Sequence, residues 1–401
     1  MELDKTRIKK GDPNEVTATS NYRWIILLSA FYAFVTYAFA FQIVPPLMSS
    51  IIKEFNVTHG YAGLLMSMVV IPGIILALPA GIFADHYGVK LSGSISAIMV
   101  LLGCIISDLA NSFTLLLAGR IILGLGGAFI TTTMPTIISQ WFSRNEIGKA
   151  MGIFGMNMPF ASVIAFPVSS ILMIRYNWRY PFHVSIFLAL LNVFIFVVLI
   201  REGPFKKEGK ERTSLRIALR NAEIWKIGVV WLLFNASALS FTTWSPEIFE
   251  KYMGIESFYA TLLASTLMFT AIPFVPFFGW YSDRIKKRKK LMVMGSMLMA
   301  GTLLAIAYSA SSYIIVPVVA LGIAAALIPP MIMALPPEIL GPKMSGTGFG
   351  IVAICLNVGI AVATPLMGLI IDITLSPTLL YLTMALLSAL GTAVAYTLKT
   401  K

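Results

Sequence analysis

Long apolar runs alternate with short polar segments along almost the whole chain, and this pattern predicts its architecture. A helix that crosses a bilayer needs about 20 consecutive, mostly apolar residues. Twelve runs meet this requirement, so we predict an all-α membrane protein with twelve transmembrane helices, called spans 1 to 12. The predicted spans cover residues 24–50, 61–83, 92–110, 113–139, 149–174, 180–200, 225–249, 258–281, 291–310, 313–337, 347–371 and 378–398.

A polar motif recurs at a fixed distance, which indicates two related halves. Gly81 and Asp85 follow span 2, and Gly279 and Asp283 follow span 8, each 198 residues later. The same offset relates further pairs, namely Tyr61 and Tyr259, Gly152 and Gly350, and Pro167 and Pro365. We therefore predict two pseudo-symmetric halves of six helices, residues 24–200 and 223–401. Parallel repeats of this kind occur in transporters whose binding site lies between the halves near the bilayer midplane.

Two polar segments lie outside the halves. Residues 1–23 form a basic N-terminal segment, and the apolar run after it is too long for the hydrophobic region of a signal peptide. Residues 201–222 form the linker, in which Thr213–Arg220 places apolar and arginine residues on different helical faces. This pattern predicts a short amphipathic helix on the inner membrane surface, and a solvated charged linker is the alternative.

The distribution of charge predicts the orientation in the membrane. The chain is 58% hydrophobic and 12% charged, whereas soluble domains carry about 25% charged residues. With the N-terminus inside, the inner segments hold 25 of the 30 Lys and Arg residues. The positive-inside rule therefore predicts a multi-pass protein of the cell membrane with both termini in the cytoplasm. The net charge of +12 reflects this orientation, and we expect no nucleic-acid partner.

No set of residues suitable for catalysis or metal binding is evident. Cys104 and Cys355 both lie inside apolar runs, so neither a disulfide framework nor a metal cluster is indicated. The histidines, His59, His86 and His183, lie in or beside loops on different helices. We therefore expect no enzymatic activity, no metal and no cofactor.

Three motifs resemble those of the major facilitator superfamily. The loop from Gly81 to Lys90 is similar to the family signature Gly-x-x-x-Asp followed by basic residues, and it recurs after span 8. Span 4 carries Arg120 followed at four and six residues by glycine, like a second signature. Trp178–Phe182 looks like a third, which is commoner among anion-transporting branches. The resemblance implies a monomeric secondary transporter that works by alternating access.

The resemblance also implies that the two polar loops act as gates. The gating residues would be Gly81, Asp85, Gly88, Lys90, Gly279, Asp283 and Arg284. When the inner side is closed, Asp85 would lie against the start of span 11 and Asp283 against the start of span 5. The contact has a physical basis, because helix N-termini attract carboxylates.

Arg120 carries the only basic side chain deep within a predicted span, because Lys149 and Lys226 lie among the first residues of spans 5 and 7. It lies roughly 11 Å from the outer end of span 4, where an arginine costs about 2.5 to 3.5 kcal/mol to insert. Either an anionic substrate, bound bidentately, or protein groups such as backbone carbonyls can offset this cost. We predict a small organic or inorganic anion as substrate, with a counter-transported ion as a further partner. Efflux of amphipathic compounds is the alternative, and a non-transporting sensor is less favoured.

By the same resemblance, the first and fourth helices of each half line the central cavity. The polar residues expected to contact substrate there are Arg120, Tyr32, Thr36, Gln42, Thr131, Asn235 and Thr243. Glu247, near the outer end of span 7, is the candidate for a proton carrier. Asn157 and Asn357 faintly resemble the signature of nitrate and nitrite porters, and interhelical hydrogen bonding is the alternative role for both.

Overall fold

The structure is a computed structural model that describes residues 21–143, 146–203, 219–341 and 345–399. Over these residues it contains helices and no strand, and twelve spans are long and apolar enough to cross a membrane. The prediction of an all-α membrane protein with twelve spans is confirmed. Most of the predicted N-terminal segment, and nearly all of the predicted linker helix, lie outside the described residues.

Most spans in the described ranges are single helices. These are His59–Tyr87 (span 2), Val89–Asp108 (span 3), Phe113–Trp141 (span 4), Tyr180–Leu199 (span 6), Ala222–Lys251 (span 7), Ser257–Ile285 (span 8), Arg288–Ala307 (span 9), Ser345–Thr374 (span 11) and Pro377–Tyr396 (span 12). Three spans consist of two successive helices. These are Tyr22–Gln42 with Val44–Phe55 (span 1), Ile147–Phe154 with Asn157–Arg175 (span 5) and Ile315–Ala326 with Ile328–Leu340 (span 10).

Proline determines where span 1 divides. Its two helices meet at Ile43, just before Pro45 and Pro46. Proline has no N–H, so the Phe41 carbonyl loses the donor that residue 45 would supply in a continuous helix. Span 10 divides in the same way at Leu327, ahead of its own pair of prolines. Each break leaves carbonyl groups in an apolar environment that other donors must satisfy.

The two halves meet along spans 2 and 11, most closely at the end that the charge distribution predicts to be the outer one. The Ser67 hydroxyl in span 2 donates a hydrogen bond to the Ala361 carbonyl in span 11 at 2.6 Å. At Gly63 the two backbones are so close that a Cβ atom would lie 2.6 Å from the Cα of Pro365. Glycine is required here because the neighbouring atoms are backbone. Elsewhere, span 5 packs against span 8 across the halves.

At the predicted inner end the halves are apart. A Cβ atom at Gly81 in span 2, or at Gly346 or Gly350 in span 11, would have no described heavy atom within 4 Å apart from its own helix backbone. The same holds for Gly148 and Gly152 at the start of span 5. The described residues therefore form a conformation that is sealed at the outer end and open at the inner end.

Gly63→Ala should loosen the seam between spans 2 and 11, because the added methyl group meets backbone atoms that cannot rotate away. We expect a larger fraction of molecules with separated outer ends. Spin labels at Asn111 and Ser312, which are exposed on outer loops of opposite halves, report this distance by double electron–electron resonance. The buried Cys104 and Cys355 are replaced beforehand so that only the introduced cysteines react.

Gly301→Ala in span 9 is the matched control. A Cβ atom there has no neighbour within 4 Å outside its own helix, so the substitution should only stabilise the helix, by about 0.5–1 kcal/mol. Identical distance distributions for the two variants would contradict the role assigned to the close approach at Gly63.

Candidate functional site

Four ionisable side chains meet at the sealed outer end, where span 2 begins. The Nδ1 atom of His59 lies 2.6 Å from Oδ1 of Asp372 in span 11, and its Nε2 atom lies 3.2 Å from Oε1 of Glu247 in span 7. Lys251, one turn further along span 7, donates to the same Glu247 oxygen at 2.5 Å. We call these four residues the outer cluster. It joins the N-terminal half to two helices of the C-terminal half.

Asp372 also caps span 2 from the opposite half. Its Oδ1 atom accepts a hydrogen bond from the backbone N–H of His59 at 2.9 Å, and its Oδ2 atom accepts one from Gly60 at 2.8 Å. The first N–H groups of a helix have no partner within the helix, and a carboxylate there interacts favourably with the helix dipole. Asp372 therefore stabilises the sealed end through the backbone as well as through the His59 side chain.

Glu247 is the most buried carboxylate of the outer cluster. It is 4% exposed, and its Oε2 atom has no hydrogen-bond partner among the described residues. Trp244, one turn earlier, lies beside the His59 ring with 5.7 Å between ring centroids, and its Nε1 atom donates to the Thr364 carbonyl. Trp244 therefore packs against the His59 ring with its own N–H satisfied by the C-terminal half.

The sequence indicated Glu247 as a candidate site residue but gave His59 and Asp372 no role. The structure places His59 at the first turn of span 2, in contact with partners 188 and 313 residues away in the chain. A signal was available, because all three residues lie near the same predicted end of apolar spans. It did not indicate which of the ionisable groups at that end would meet.

Arg120 is fully buried within the N-terminal half and donates to three backbone carbonyls. Its Nε atom bonds Leu65 in span 2 at 3.0 Å, and its Nη1 and Nη2 atoms bond Ala40 and Phe41 in span 1 at 2.7 and 3.1 Å. The Phe41 carbonyl is the one that Pro45 leaves without a helical donor. Arg120 therefore fastens span 4 to the break in span 1, and its role as a substrate ligand stays a prediction.

Two of the other residues expected to line the cavity bond to neighbouring helices of the N-terminal half. The Tyr32 hydroxyl donates to the Leu188 carbonyl in span 6 at 3.0 Å, and Gln42 Nε2 donates to Ser162 Oγ in span 5 at 2.9 Å. Gln42 is buried, as are Thr36, Asn235 and Thr243, whereas Thr131 is exposed. The hydrogen bonds of Tyr32 and Gln42 stay within one half, so substrate contact by this set stays a prediction.

The two asparagines have different surroundings. Asn157 Nδ2 donates to the Phe154 carbonyl at 2.5 Å and so satisfies a backbone group at the break in span 5. Asn357 in span 11 packs against Gly73 in span 2, where a Cβ atom would lie 2.9 Å from its Nδ2 atom. Asn357 therefore belongs to the contact between the halves.

The predicted gating residues lie at the open inner end. Asp283 pairs with Arg288 at 2.7 Å, and Arg288 also pairs with Glu338 at the end of span 10. These contacts join spans 8, 9 and 10 within the C-terminal half. The offset of 198 residues places Lys90 and Gln140 at the positions of Arg288 and Glu338 in the other half. The sequence did not predict the ion pairs of Arg288 and Glu338, because the basic residues between spans 8 and 9 counted only toward the orientation in the membrane.

The remaining gating residues are placed as follows. Gly88 has a φ of 93°, which favours glycine, and it turns the chain between spans 2 and 3. Asp85, Lys90 and Arg284 are exposed, and the Arg284 guanidinium lies 5.7 Å from the ring centroid of Trp280. Because the inner ends are apart, gating by these residues stays a prediction. In the part of the chain that the structure describes, no three His, Cys, Asp or Glu residues could together hold a metal ion.

Arg120→Ala should lower the stability of the folded protein by about 2–3 kcal/mol, since it leaves the Phe41 carbonyl buried without a donor. Thermal unfolding in detergent, followed by tryptophan fluorescence, measures the loss. Arg120→Lys should recover part of the lost stability. An ammonium group can donate to the carbonyls of one span, but it does not have the planar set of N–H groups with which a guanidinium reaches two spans.

Arg175→Ala is the control for loss of charge, because Arg175 lies exposed at the end of span 5. We expect it to change the unfolding temperature little. A loss in Arg120→Ala no larger than in this control would show that the three carbonyl contacts contribute little to stability.

Comparisons with known proteins bear on the fold and the family of the chain. Two solved structures of a bacterial homolog of the human lysosomal transporter Spinster superpose on this chain. One is described as inward-facing and occupied, with a TM-score of 0.78, and the other as inward-facing and unoccupied, with a TM-score of 0.79. Both cover 94% of this chain and 97% of that protein, at 16% and 15% identity. This similarity shows the fold.

Several relatives are named for nitrate or nitrite. The chain is 24% identical to the probable nitrate/nitrite antiporter NarK1 of Thermus thermophilus over 63% of its own length and 60% of that protein. It is 23% identical to the nitrite extrusion protein of Bacillus subtilis, over 65% of this chain and 66% of the relative. It thus spans less than two thirds of either. The probable nitrate/nitrite transporter NarK2 of Mycobacterium tuberculosis is 23% identical, over 80% and 74%.

The sequence profile of the Major Facilitator Superfamily matches residues 30–265 and 248–401. The predicted resemblance is therefore confirmed. This chain belongs to the Major Facilitator Superfamily and is a membrane transporter, not an enzyme.

Proposed function

We propose that this transporter moves a small anion across the cell membrane by alternating access, with both termini in the cytoplasm. The observation that carries the proposal is the difference between its two ends. Spans 2 and 11 touch closely at the outer end, whereas Gly81, Gly346 and Gly350 at the inner end have no described neighbour within 4 Å outside their own helices. A site between the halves would then be reached from one side at a time, as in transporters built from two such repeats.

The anionic substrate is supported by the relatives and by Arg120. Relatives named for nitrate or nitrite align with 63–80% of this chain. Arg120 uses three of the five N–H groups of a guanidinium on carbonyls, which leaves two donors. In a conformation that moves span 4 relative to span 1, these donors could bind a planar anion such as nitrate.

Efflux of amphipathic compounds is a second candidate, favoured by one observation. An apolar groove of about 440 Å³ lies between spans 1, 5 and 6, and its only polar side chains are those of Ser29 and Tyr32. Leu28, Phe31 and Phe160 are among its apolar residues. This groove could hold a lipophilic compound but has no positively charged side chain to bind an anion.

Transport in proteoliposomes distinguishes the two candidates. Vesicles loaded with nitrite are tested for uptake of nitrate, small carboxylates and the lipophilic cation tetraphenylphosphonium. We expect nitrate or carboxylate uptake several-fold above that of protein-free vesicles, and loss of this uptake in Arg120→Lys. Uptake of the lipophilic cation alone, unchanged in Arg120→Lys, would contradict the anion proposal and favour efflux.

Asp85→Asn tests the proposed inner gate. If Asp85 binds the start of span 11 when the inner end closes, the variant should hold the inner ends apart in a larger fraction of molecules. Spin labels at the exposed Lys149 and Lys287 measure this distance. The Gly63→Ala background is used because it should populate the form with a closed inner end.

Glu223→Gln is the matched control for Asp85→Asn. Glu223, at the inner end of span 7, pairs with Lys226 and the backbone of Lys399 within the C-terminal half. Its neutralisation should leave the inner distance unchanged. An equal distance distribution in both variants would show that Asp85 does not stabilise the closed inner end.

A further inference from the structure

We propose that the outer cluster is a proton-binding site that holds the outer end closed, so that the outer pH controls when the transporter opens outward. The proposal rests on alternating access but not on the identity of the substrate. Its geometric basis is the position of His59, whose two ring nitrogens face carboxylates from two different helices of the opposite half.

The count of donors requires a proton when the end is closed. Nδ1 of His59 lies 2.6 Å from an oxygen of Asp372, and Nε2 lies 3.2 Å from an oxygen of Glu247. A neutral imidazole has one N–H and one lone pair, so it can donate to only one of two ionised carboxylates. The second contact would bring a lone pair against a negative oxygen. One added proton, on the ring or on a carboxylate, turns both contacts into hydrogen bonds.

The charges of the cluster lead to the same conclusion. Glu247 and Asp372 carry two negative charges, and Lys251 supplies one positive charge through its contact with Glu247. With His59 neutral, the closed end has a net charge of −1; with His59 protonated, it has none. Glu247 is 4% exposed and its Oε2 atom has no partner among the described residues, so an uncompensated charge there would be costly.

Other charged groups near the start of span 2 do not supply the missing charge. Span 1 ends close by with Lys53 and Glu54. Glu54 faces Arg179 at 3.6 Å, and among the described residues Lys53 forms no ion pair with Glu247 or Asp372. Span 7 also carries Glu250, which accepts a hydrogen bond from Ser257. The nearest described aromatic partner of His59 is Trp244, which does not titrate. The proton is therefore assigned to His59 and its two carboxylates.

Opening the outer end must separate His59 from its partners, because they belong to opposite halves. Once in water, an imidazole titrates near pH 6.5 and would release its proton above that value. The closed form therefore binds one more proton than the open form, so its share falls as the pH rises. The proton enters and leaves on the same side of the membrane. Glu247 would thus act in a gate and not as the carrier that moves protons across.

The test measures the outer opening directly, without substrate. Spin labels at Asn111 and Ser312 report the distance between the outer ends of the two halves, in nanodiscs, from pH 5 to pH 8.5. We expect the ratio of open to closed molecules to rise with pH, by about tenfold for each pH unit over which the two forms differ in protonation. The labels are attached to cysteines introduced at these two positions in the protein that lacks Cys104 and Cys355. This labelled protein, with His59 unchanged, is the reference.

His59→Gln should remove the response to pH and leave the outer end more open at pH 5 than in the reference. His183→Gln is the matched control: His183 also faces an outer carboxylate, Asp108, at 3.1 Å, but both lie in the N-terminal half. It should keep the full response. A response that survives His59→Gln, or a reference protein that does not respond to pH, would overturn the proposal.

Asp372→Asn gives a second, independent outcome in case His59→Gln does not fold. Asparagine can still accept from one of the two backbone N–H groups at the start of span 2 but carries no charge for His59. His59 then faces a single ionised carboxylate and can stay neutral in the closed form, so the outer distance should respond less to pH, and an unchanged response would overturn the proposal. Because no anion is present, a failed transport assay would contradict the anion proposal alone and leave this result standing.

Discussion

The contact between spans 2 and 11 is the interaction on which the rest of the structure depends. In lipid, apolar side chains gain little by leaving the bilayer for one another, so helices associate through close packing and hydrogen bonds. The outer seam uses both, with Gly63 against the backbone of Pro365 and the Ser67 hydroxyl on the Ala361 carbonyl. Both contacts are short-ranged and are lost when the helices tilt apart.

The repeat of 198 residues predicts the frame of the molecule, and its chemistry lies where the two halves differ. The offset places Ser257 and Ile174 at the positions that correspond to His59 and Asp372, so these two positions in spans 8 and 5 cannot form the corresponding ion pair. The same offset places Val318 at the position that corresponds to Arg120. The break in span 10 therefore has no arginine at the corresponding position to donate to its carbonyls. The breaks in spans 1 and 10 are thus held in different ways in the two halves.

Much of the fold could be predicted from the sequence because the signals are local. The length of each apolar run defines a span, and the Lys and Arg residues between runs indicate its direction. The partners of Arg120 could not be predicted, although Pro45 and Pro46 indicated that carbonyls of span 1 would need donors. Which donor reaches them depends on how spans 1, 2 and 4 pack, and no local pattern contains that information.

The outer cluster shows the same limit. His59, Glu247 and Asp372 each look like an ordinary polar residue at the end of an apolar span, where water can solvate it. Their chemistry depends on tertiary packing, which brings three helices from two halves to one point and removes much of that water. An exposure of 4% identifies Glu247 as a buried charge, and its position in the sequence alone does not.

Spans 2 and 11 also explain how two conformations can remain close in free energy. At the outer end, the carboxylate of Asp372 in span 11 caps the N-terminus of span 2. At the inner end the roles are reversed, because Asp85 lies near the end of span 2 and span 11 begins there. In the proposed inner gate, closing one end would replace one contact between a carboxylate and a helix N-terminus with another.

Each such contact is worth about 0.3–1 kcal/mol, and up to about 2 kcal/mol when partly buried. Because each form has one such contact, their free energies nearly cancel in the equilibrium between the two forms. Smaller differences in free energy then decide which form is more populated. A ligand can shift such a balance only by as much as it prefers one form. His59 would add a term to the outer end that has no counterpart at the inner end, and that term changes with pH. The asymmetry between two otherwise matched closures would then allow the outer solution to set the direction in which the transporter faces.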